Sequence, residues 1–138
     1  MIRAVLSMLL LLPALAAGAA DLDVRIDISD QEMTVFVDGS EAHRWPVSTA
    51  RAGKFTPTGL YHVQWMKRMH YSTLYNNAPM PHSLFFSGNF AIHGTDQTER
   101  LGTPASAGCV RLHPENAARL YALVQEKGRA NTLIEIVK

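Results

Sequence analysis

The sequence predicts a mainly β fold, a β-sandwich with one packed α-helix near the C-terminus. Three observations point there: short stretches in which apolar and polar residues alternate, turn-forming Asp, Gly and Asn between them, and one late segment whose apolar residues recur at helical spacing. From Leu22 the alternation is regular, with Leu22, Val24, Ile26 and Ile28 on one side and Asp23, Arg25 and Asp27 on the other, the pattern of a half-buried strand. Ser29-Asp30-Gln31 turns the chain into a second strand, Met33 to Val37, and Asp38-Gly39-Ser40 turns it into a third, Ala42 to Ser48. The opening therefore reads as a β-meander.

Thr49 to Pro57 is looser, with Gly53, Lys54 and Pro57, and a long strand follows in which Tyr61, Val63 and Trp65 share one face and His62 and Gln64 the other. Residues 67 to 83 hold Asn76-Asn77, Pro79 and Pro81 and are expected to form a loop. Leu84 to Phe86 and Phe90 to Ile92 flank Ser87-Gly88-Asn89 as a hairpin whose second strand runs into His93-Gly94. A short strand, Cys109 to Leu112, leads to the helix. Pro114 suits its first turn, Ala117, Leu120, Tyr121 and Val124 form its apolar stripe, and Lys127-Gly128 ends it. Leu133 to Val137 closes the chain as a strand, and no repeat or linker divides it.

The 138 residues have room for one domain, and 47% hydrophobic with 18% charged residues is a globular composition. Thirteen Lys and Arg against twelve Asp and Glu leave +1, so no broad basic surface exists to neutralise phosphates, and nucleic acid is not an expected partner. Residues 1–20 have the three-part order of a secretory signal peptide: Arg3, an apolar run from Ala4 to Leu12, Pro13, then small residues with Ala17-Gly18-Ala19 fitting the small-x-small cleavage rule. Cleavage is expected after Ala19 or Ala20. A stretch of 9 residues from Ala4 to Leu12, apolar but for Ser7, is short of the roughly 20 that span a bilayer, so no stable membrane insertion is expected after cleavage. The mature domain, residues 21–138, is then an exported one, periplasmic or extracellular according to whether the cell has an outer membrane.

Exported domains ordinarily spend cysteines on disulfides, and this chain has a single cysteine, Cys109. The residues around it are Ile92-His93-Gly94-Thr95, a loop, then Ser106-Ala107-Gly108-Cys109-Val110-Arg111-Leu112. Taken singly each has a plain reading: a free cysteine is commonly an inert core residue, a histidine is often satisfied by backbone, glycines serve turns, and an arginine is solvated. Together they suggest thiol chemistry. An adjacent imidazole can accept the thiol proton, which makes His93 the candidate base for a Cys109 nucleophile. Gly108 removes a side chain beside the sulfur and lets a substrate carbonyl approach backbone N–H groups. In an extended strand Cys109 and Arg111 share a face, so Arg111 would set a planar cation beside the sulfur, suited to a substrate carboxylate.

The ordered pair AIHGT at 91–95 and SAGCVRL at 106–112, with Thr56-Pro57-Thr58-Gly59 upstream, resembles the L,D-transpeptidase catalytic domain, the YkuD-like family. The resemblance implies a cysteine acyltransferase of peptidoglycan stem peptides, active in cell-wall biogenesis and cell shape. Cys109 matches the family nucleophile, His93 its base, and the Gly94 carbonyl the group that orients the imidazole. Arg111 and Ser106 fall where the substrate site is lined, and N–H groups near Gly108 and Cys109 where the oxyanion is held. No cofactor is implied. Many members carry a second histidine just before the Gly-Cys, where this chain has Ala107. Rival readings are an L,D-carboxypeptidase or amidase using the same residues, and a catalytically inactive wall-binding module. A zinc site from His93, Cys109 and His113 is disfavoured because their spacing fits no compact ligand motif. His43, His62, His70 and His82 are expected at surface or partly buried positions, and Trp45 and Trp65 in core or rim packing.

Overall fold

The computed structural model describes residues 20–138. Residues 1–19, all but the last residue of the expected leader, lie outside the described residues. Nine strands form two sheets around one helix: β1 (Leu22–Asp27), β2 (Glu32–Val37), β3 (Ser40–Pro46), β4 (Gly59–His62), β5 (Trp65–Tyr71), β6 (Pro79–Ser87), β7 (Phe90–Gly94), β8 (Val110–Leu112), α1 (Pro114–Lys127) and β9 (Thr132–Val137). One sheet has the order β3-β2-β1-β9-β4 and the other β5-β6-β7-β8.

The alternation that predicted β1 is the one that buries it. Leu22, Val24 and Ile26 are buried, and the same period in β9 buries Ile134 and Ile136. β1 and β9 are parallel partners in register, Leu22 beside Thr132 through Asp27 beside Val137. These side chains meet Leu84 and Phe86 of β6, Ile92 of β7, Val110 and Leu112 of β8, and Leu120 and Val124 of α1 in one contiguous core. The helix starts where expected: Pro114 sits at its first turn, and His113 caps it by accepting the Glu115 N–H at Nδ1, 3.2 Å. Gly128, at φ +95°, ends it. Among the described residues no helix is long and apolar enough to cross a membrane.

Two expectations are corrected. The long strand around Tyr61 is two strands in different sheets. β4 ends at His62, the chain passes over through buried Val63 and exposed Gln64, and β5 begins at Trp65. Gln64 N–H donates to the Phe85 carbonyl at 2.8 Å, which starts the second sheet, and Trp65 does not share the face of Val63: it is 40% exposed. The second correction is the expected loop 67–83, most of which is the β5–β6 hairpin, paired from Trp65 beside Phe85 to Tyr71 beside Pro79. Only its tip is irregular. Asn76 and Asn77 take positive φ (47° and 55°), the left-handed turn conformation asparagine tolerates best among non-glycine residues. Pro79 and Pro81 are two residues apart, so their missing N–H donors fall on the same edge of β6. That edge is free at this height, because β7 pairs with β6 only from Leu84 onward.

Ile134 is fully buried on β9, which joins β1 to β4. Ile134→Ala is expected to lower the unfolding free energy by about 2–5 kcal/mol, measured by urea denaturation, with the denaturant slope unchanged.

Candidate active site

The site grows from one register. β7 and β8 are parallel neighbours with Ile92 beside Val110, His93 beside Arg111 and Gly94 beside Leu112. Alternation sends Ile92, Val110 and Leu112 into the core and puts His93 and Arg111 on the opposite face. One residue before β8, Cys109 falls next to Ala91 on that same face and packs against Met80, Phe85 and Ala91. Cys109 and His93, sixteen positions apart in the chain, are thereby diagonal neighbours across two strands. Both line a cleft of about 480 Å³, together with Arg111, Ser106 and Gly108.

Gly94 acts from behind. Its carbonyl accepts the His93 Nδ1–H at 2.7 Å, so the neutral ring keeps its lone pair on Nε2. A Cβ at Gly94 would stand 3.0 Å from Pro81 Cγ and 3.2 Å from Pro114 Cα, which is why the position under the helix start carries no side chain. Burial drives the His93 pKa down to about 4; the Gly94 hydrogen bond opposes this, and the nearby Arg111 and His70 add to it. Burial also pushes the Cys109 thiol up, against the Ala91 backbone hydrogen bond and the Arg111 charge. Both effects favour the uncharged forms, so the pair rests as thiol and neutral imidazole. The thiol is half-buried, and its hydrogen bond goes to the Asn89 carbonyl at 3.7 Å.

The turn that presents the sulfur is braced from inside. Ser106 Oγ donates to the Cys109 carbonyl at 2.6 Å and accepts the Gly108 N–H at 3.0 Å. Ser106 thus borders the cleft with its hydroxyl already engaged, and it is 1% exposed. Thr56 Oγ1 donates to the Gly108 carbonyl at 2.8 Å and accepts the Ala50 N–H at 3.1 Å, which gives the upstream Thr-Pro motif its structural part. The Thr49 carbonyl accepts the N–H groups of Ala105 and Ser106, both at 2.9 Å. Thr49 is itself gripped by Gln31, whose Nε2 donates to Thr49 Oγ1 at 2.6 Å and whose Oε1 accepts the Thr49 N–H at 3.0 Å. Gly108 has φ +144°, and a Cβ there would lie 2.6 Å from Phe90 Cε1 and 2.9 Å from the Phe55 carbonyl.

Arg111 is partly buried, and its Nη1 donates to Gln97 Oε1 at 3.1 Å. Burial lowers its pKa from the ordinary guanidinium value while the neighbouring Cys109 raises it; Arg51 lowers it and Asp96 raises it. A guanidinium stays charged at any physiological pH, so the cleft holds a fixed cation beside the sulfur. Of the zinc candidates, His113 is occupied as the helix cap, and among the described residues no group of three or more His, Cys, Asp or Glu is placed to hold a metal.

The remaining aromatic positions divide. Trp45 is buried and stacks on His43 at 4.7 Å, while Trp65 stacks on Phe85 at 3.8 Å on the rim. His62 Nδ1 meets the Thr132 carbonyl at 2.8 Å, and His82 lies edge-on to Tyr121. His70, partly buried as expected, lines the cleft. Sequence reasoning missed that placement, along with Asn89, Arg51 and Gln97. The register of His70 beside Met80 places it there, and the Asn and Pro residues of 67–83, which read as breakers, hide that register in the sequence.

A two-sheet β-sandwich whose adjacent strand ends carry a thiol and a backbone-tethered imidazole over one cleft defines a class of thiol-bearing cleft proteins. Within it, the chain belongs to the YkuD family, the L,D-transpeptidase catalytic domain, which it matches over residues 22–136. No curated protein matches it. Among solved structures, an L,D-transpeptidase from Mycobacterium smegmatis superimposes with a TM-score of 0.77 at 21% identity, covering 86% of this chain and 59% of the other. One from Xylanimonas cellulosilytica gives 0.75 at 23% identity over 88% and 62%. L,D-transpeptidase 3 from Mycobacterium tuberculosis, in complex with a faropenem-derived adduct, gives 0.73 at 19% over 86% and 61%. The chain therefore spans about three fifths of the length of the solved proteins it matches.

Two outcomes follow from the site's construction. Gly108→Ala is expected to cost about 1–3 kcal/mol in urea unfolding, since the new Cβ must displace Phe90 or the Phe55 carbonyl at a positive φ. The second concerns pH. The folded His93 pKa of about 4 lies below the unfolded value of 6.5, so between them the unfolded chain binds more protons and stability falls as pH is lowered through that window. His93→Gln removes this component, and the wild-type loss from pH 7 to pH 4 should exceed the variant's by about 3 kcal/mol.

Proposed function

We propose that the protein is an exported L,D-transpeptidase that acts on peptidoglycan stem peptides through Cys109. The observation that carries this reading is the pairing of a thiol and an imidazole, its Nδ1 tethered to Gly94, on adjacent strand ends beside the fixed cation Arg111. The leader-like residues 1–20 support export to the compartment where such a polymer lies.

The thiol turns from the Asn89 carbonyl toward His93. Nε2 takes the proton as Sγ attacks the carbonyl carbon of the L-centred residue of a tetrapeptide stem, and the carbonyl electron pair becomes an oxyanion. With the Gly108 N–H held by Ser106, the neighbouring Cys109 N–H is the donor left to face that oxygen. The oxyanion collapses, the peptide C–N bond breaks, and the imidazolium gives its proton to the departing D-alanine amine. An amine of a second stem then attacks the thioester; His93 removes its proton and returns it to sulfur. Arg111 holds the terminal carboxylate of the donor, and burial of the site keeps the resting imidazole unprotonated, ready for the thiol proton.

Solved L,D-transpeptidases include one in complex with imipenem, and this carbapenem serves as the probe. Wild-type protein is expected to gain the mass of imipenem on Cys109, and Cys109→Ala to gain nothing while remaining folded. With tetrapeptide muropeptides, cross-linked dimers support transfer; tripeptides alone would replace transfer with hydrolysis at the same site. Folded wild-type protein that forms neither adduct nor product overturns the assignment.

A further inference from the structure

His70 is the second imidazole lining the cleft. Its Nδ1 is buried and meets no hydrogen-bond partner among the described residues. Buried polar nitrogens are rarely left so, and the ring that carries this one lines a binding cleft, which makes it a candidate for a ligand contact. Its ring is held rigidly: it stands edge-on to Phe85 at 5.1 Å and to Trp65 at 5.7 Å, while those two rings stack on each other. A residue placed only for packing would not need the nitrogen, and the aromatic brace fixes where that nitrogen is. His70 is also close enough to His93 to be among the minor causes of its lowered pKa.

Position in the sheet gives the contact its meaning. Across the order β5-β6-β7-β8, His70 lies on the outermost strand at one side and Arg111 on the outermost at the other, with Met80 and Phe85 of β6, and His93 of β7, between them. Three strand spacings amount to about 14 Å across the sheet, to which the offset of His70, beside Met80, from Arg111, beside His93, adds a component along the strands, so only a donor of about four extended residues or more reaches both. The apolar floor of Met80 and Phe85 can carry the peptide's middle.

We infer that His70 is a specificity-determining residue for the acyl donor. It hydrogen-bonds a peptide oxygen on the N-terminal side of the attacked carbonyl, while Arg111 takes the terminal carboxylate at the far end, so the two together measure donor length. The inference rests on the proposed acyl transfer and adds to it a residue that the cysteine motif does not contain.

The test compares D-alanine release by the full chain from two donors, a tetrapeptide muropeptide and an N-acetylated diamino-acyl-D-alanine dipeptide too short to reach β5. Wild-type kcat/KM should favour the tetrapeptide. His70→Phe, which keeps an aromatic ring against Trp65 and Phe85 but removes both nitrogens, should lose about tenfold on the tetrapeptide, mainly in KM, and much less on the dipeptide. His70→Asn, with an amide near the Nδ1 position, should recover most of the loss. Equal losses on both donors, unchanged kinetics in His70→Phe, or a wild type indifferent to donor length would overturn the inference and leave the acyl-transfer reading standing. A wild type that releases no D-alanine from either donor would remove the underlying reading, and this inference with it.

Discussion

The parallel pairing of β7 with β8 is the constraint on which the rest of the molecule's chemistry depends. Side chains alternate with a period of two, so a slip of one residue would carry Cys109 and Arg111 into the core and expose Val110 and Leu112. Parallel neighbours need a long connection, and residues 95–109 supply it with little regular structure, so the register must be pinned from outside that loop. The segment after β3 does this. Ser48 exchanges backbone hydrogen bonds with Arg111 at 3.1 and 2.8 Å, the Val47 carbonyl accepts the Gly102 N–H, and the Thr49 carbonyl receives Ala105 and Ser106. Gln31, beyond the end of β1, holds Thr49 from both sides, so the turn that carries Cys109 is tied to the first hairpin through buried polar bonds.

The same enclosure sets the electrostatics. Burial outweighs every local effect that would charge the pair: the Gly94 hydrogen bond fails to keep His93 basic, and Arg111 with the Ala91 hydrogen bond fails to make Cys109 acidic. On the proposed reading of an exported protein, a resting ion pair would give a standing thiolate open to oxidation. A neutral thiol avoids that, and its nucleophilicity is raised only when an imidazole with a free lone pair removes the proton during attack.

Much of this was legible in the sequence, for physical reasons that also explain what was not. β1, β2, β3, α1 and β9 each bury one face and leave the other wetter, and that asymmetry is what alternation or helical spacing records, whereas β7 is buried on both faces and reads as a short apolar run after a turn. The His93 and Cys109 motifs were readable because glycine and cysteine stand where few other residues serve: Gly108 at a positive φ against Phe90, Gly94 under Pro114. The β5–β6 hairpin escaped because its signal is weak. β5 is an edge strand with exposed Trp65, Met69 and Tyr71, so its pattern does not alternate, and Pro79 and Pro81 read as breakers unless one knows that their edge of β6 is unpaired. Ser106 shows the opposite case. Its place beside the cysteine was plain, yet only geometry reveals that its hydroxyl is spent on Gly108 and Cys109.

Arg111 links binding to the timing of proton transfer. Its charge is one of the two influences that pull the Cys109 thiol toward ionisation. A donor carboxylate seated on the guanidinium would cancel much of that field inside a water-poor cleft, where charges interact more strongly than in bulk. On the proposed reading, substrate binding thus makes the free thiolate less favourable just when the sulfur must attack. The proton must then pass to Nε2 as the S–C bond forms, in one coupled step, rather than being lost beforehand. The short tether from Nδ1 to Gly94 suits that demand, because it leaves the receiving nitrogen fixed and unprotonated until the attack.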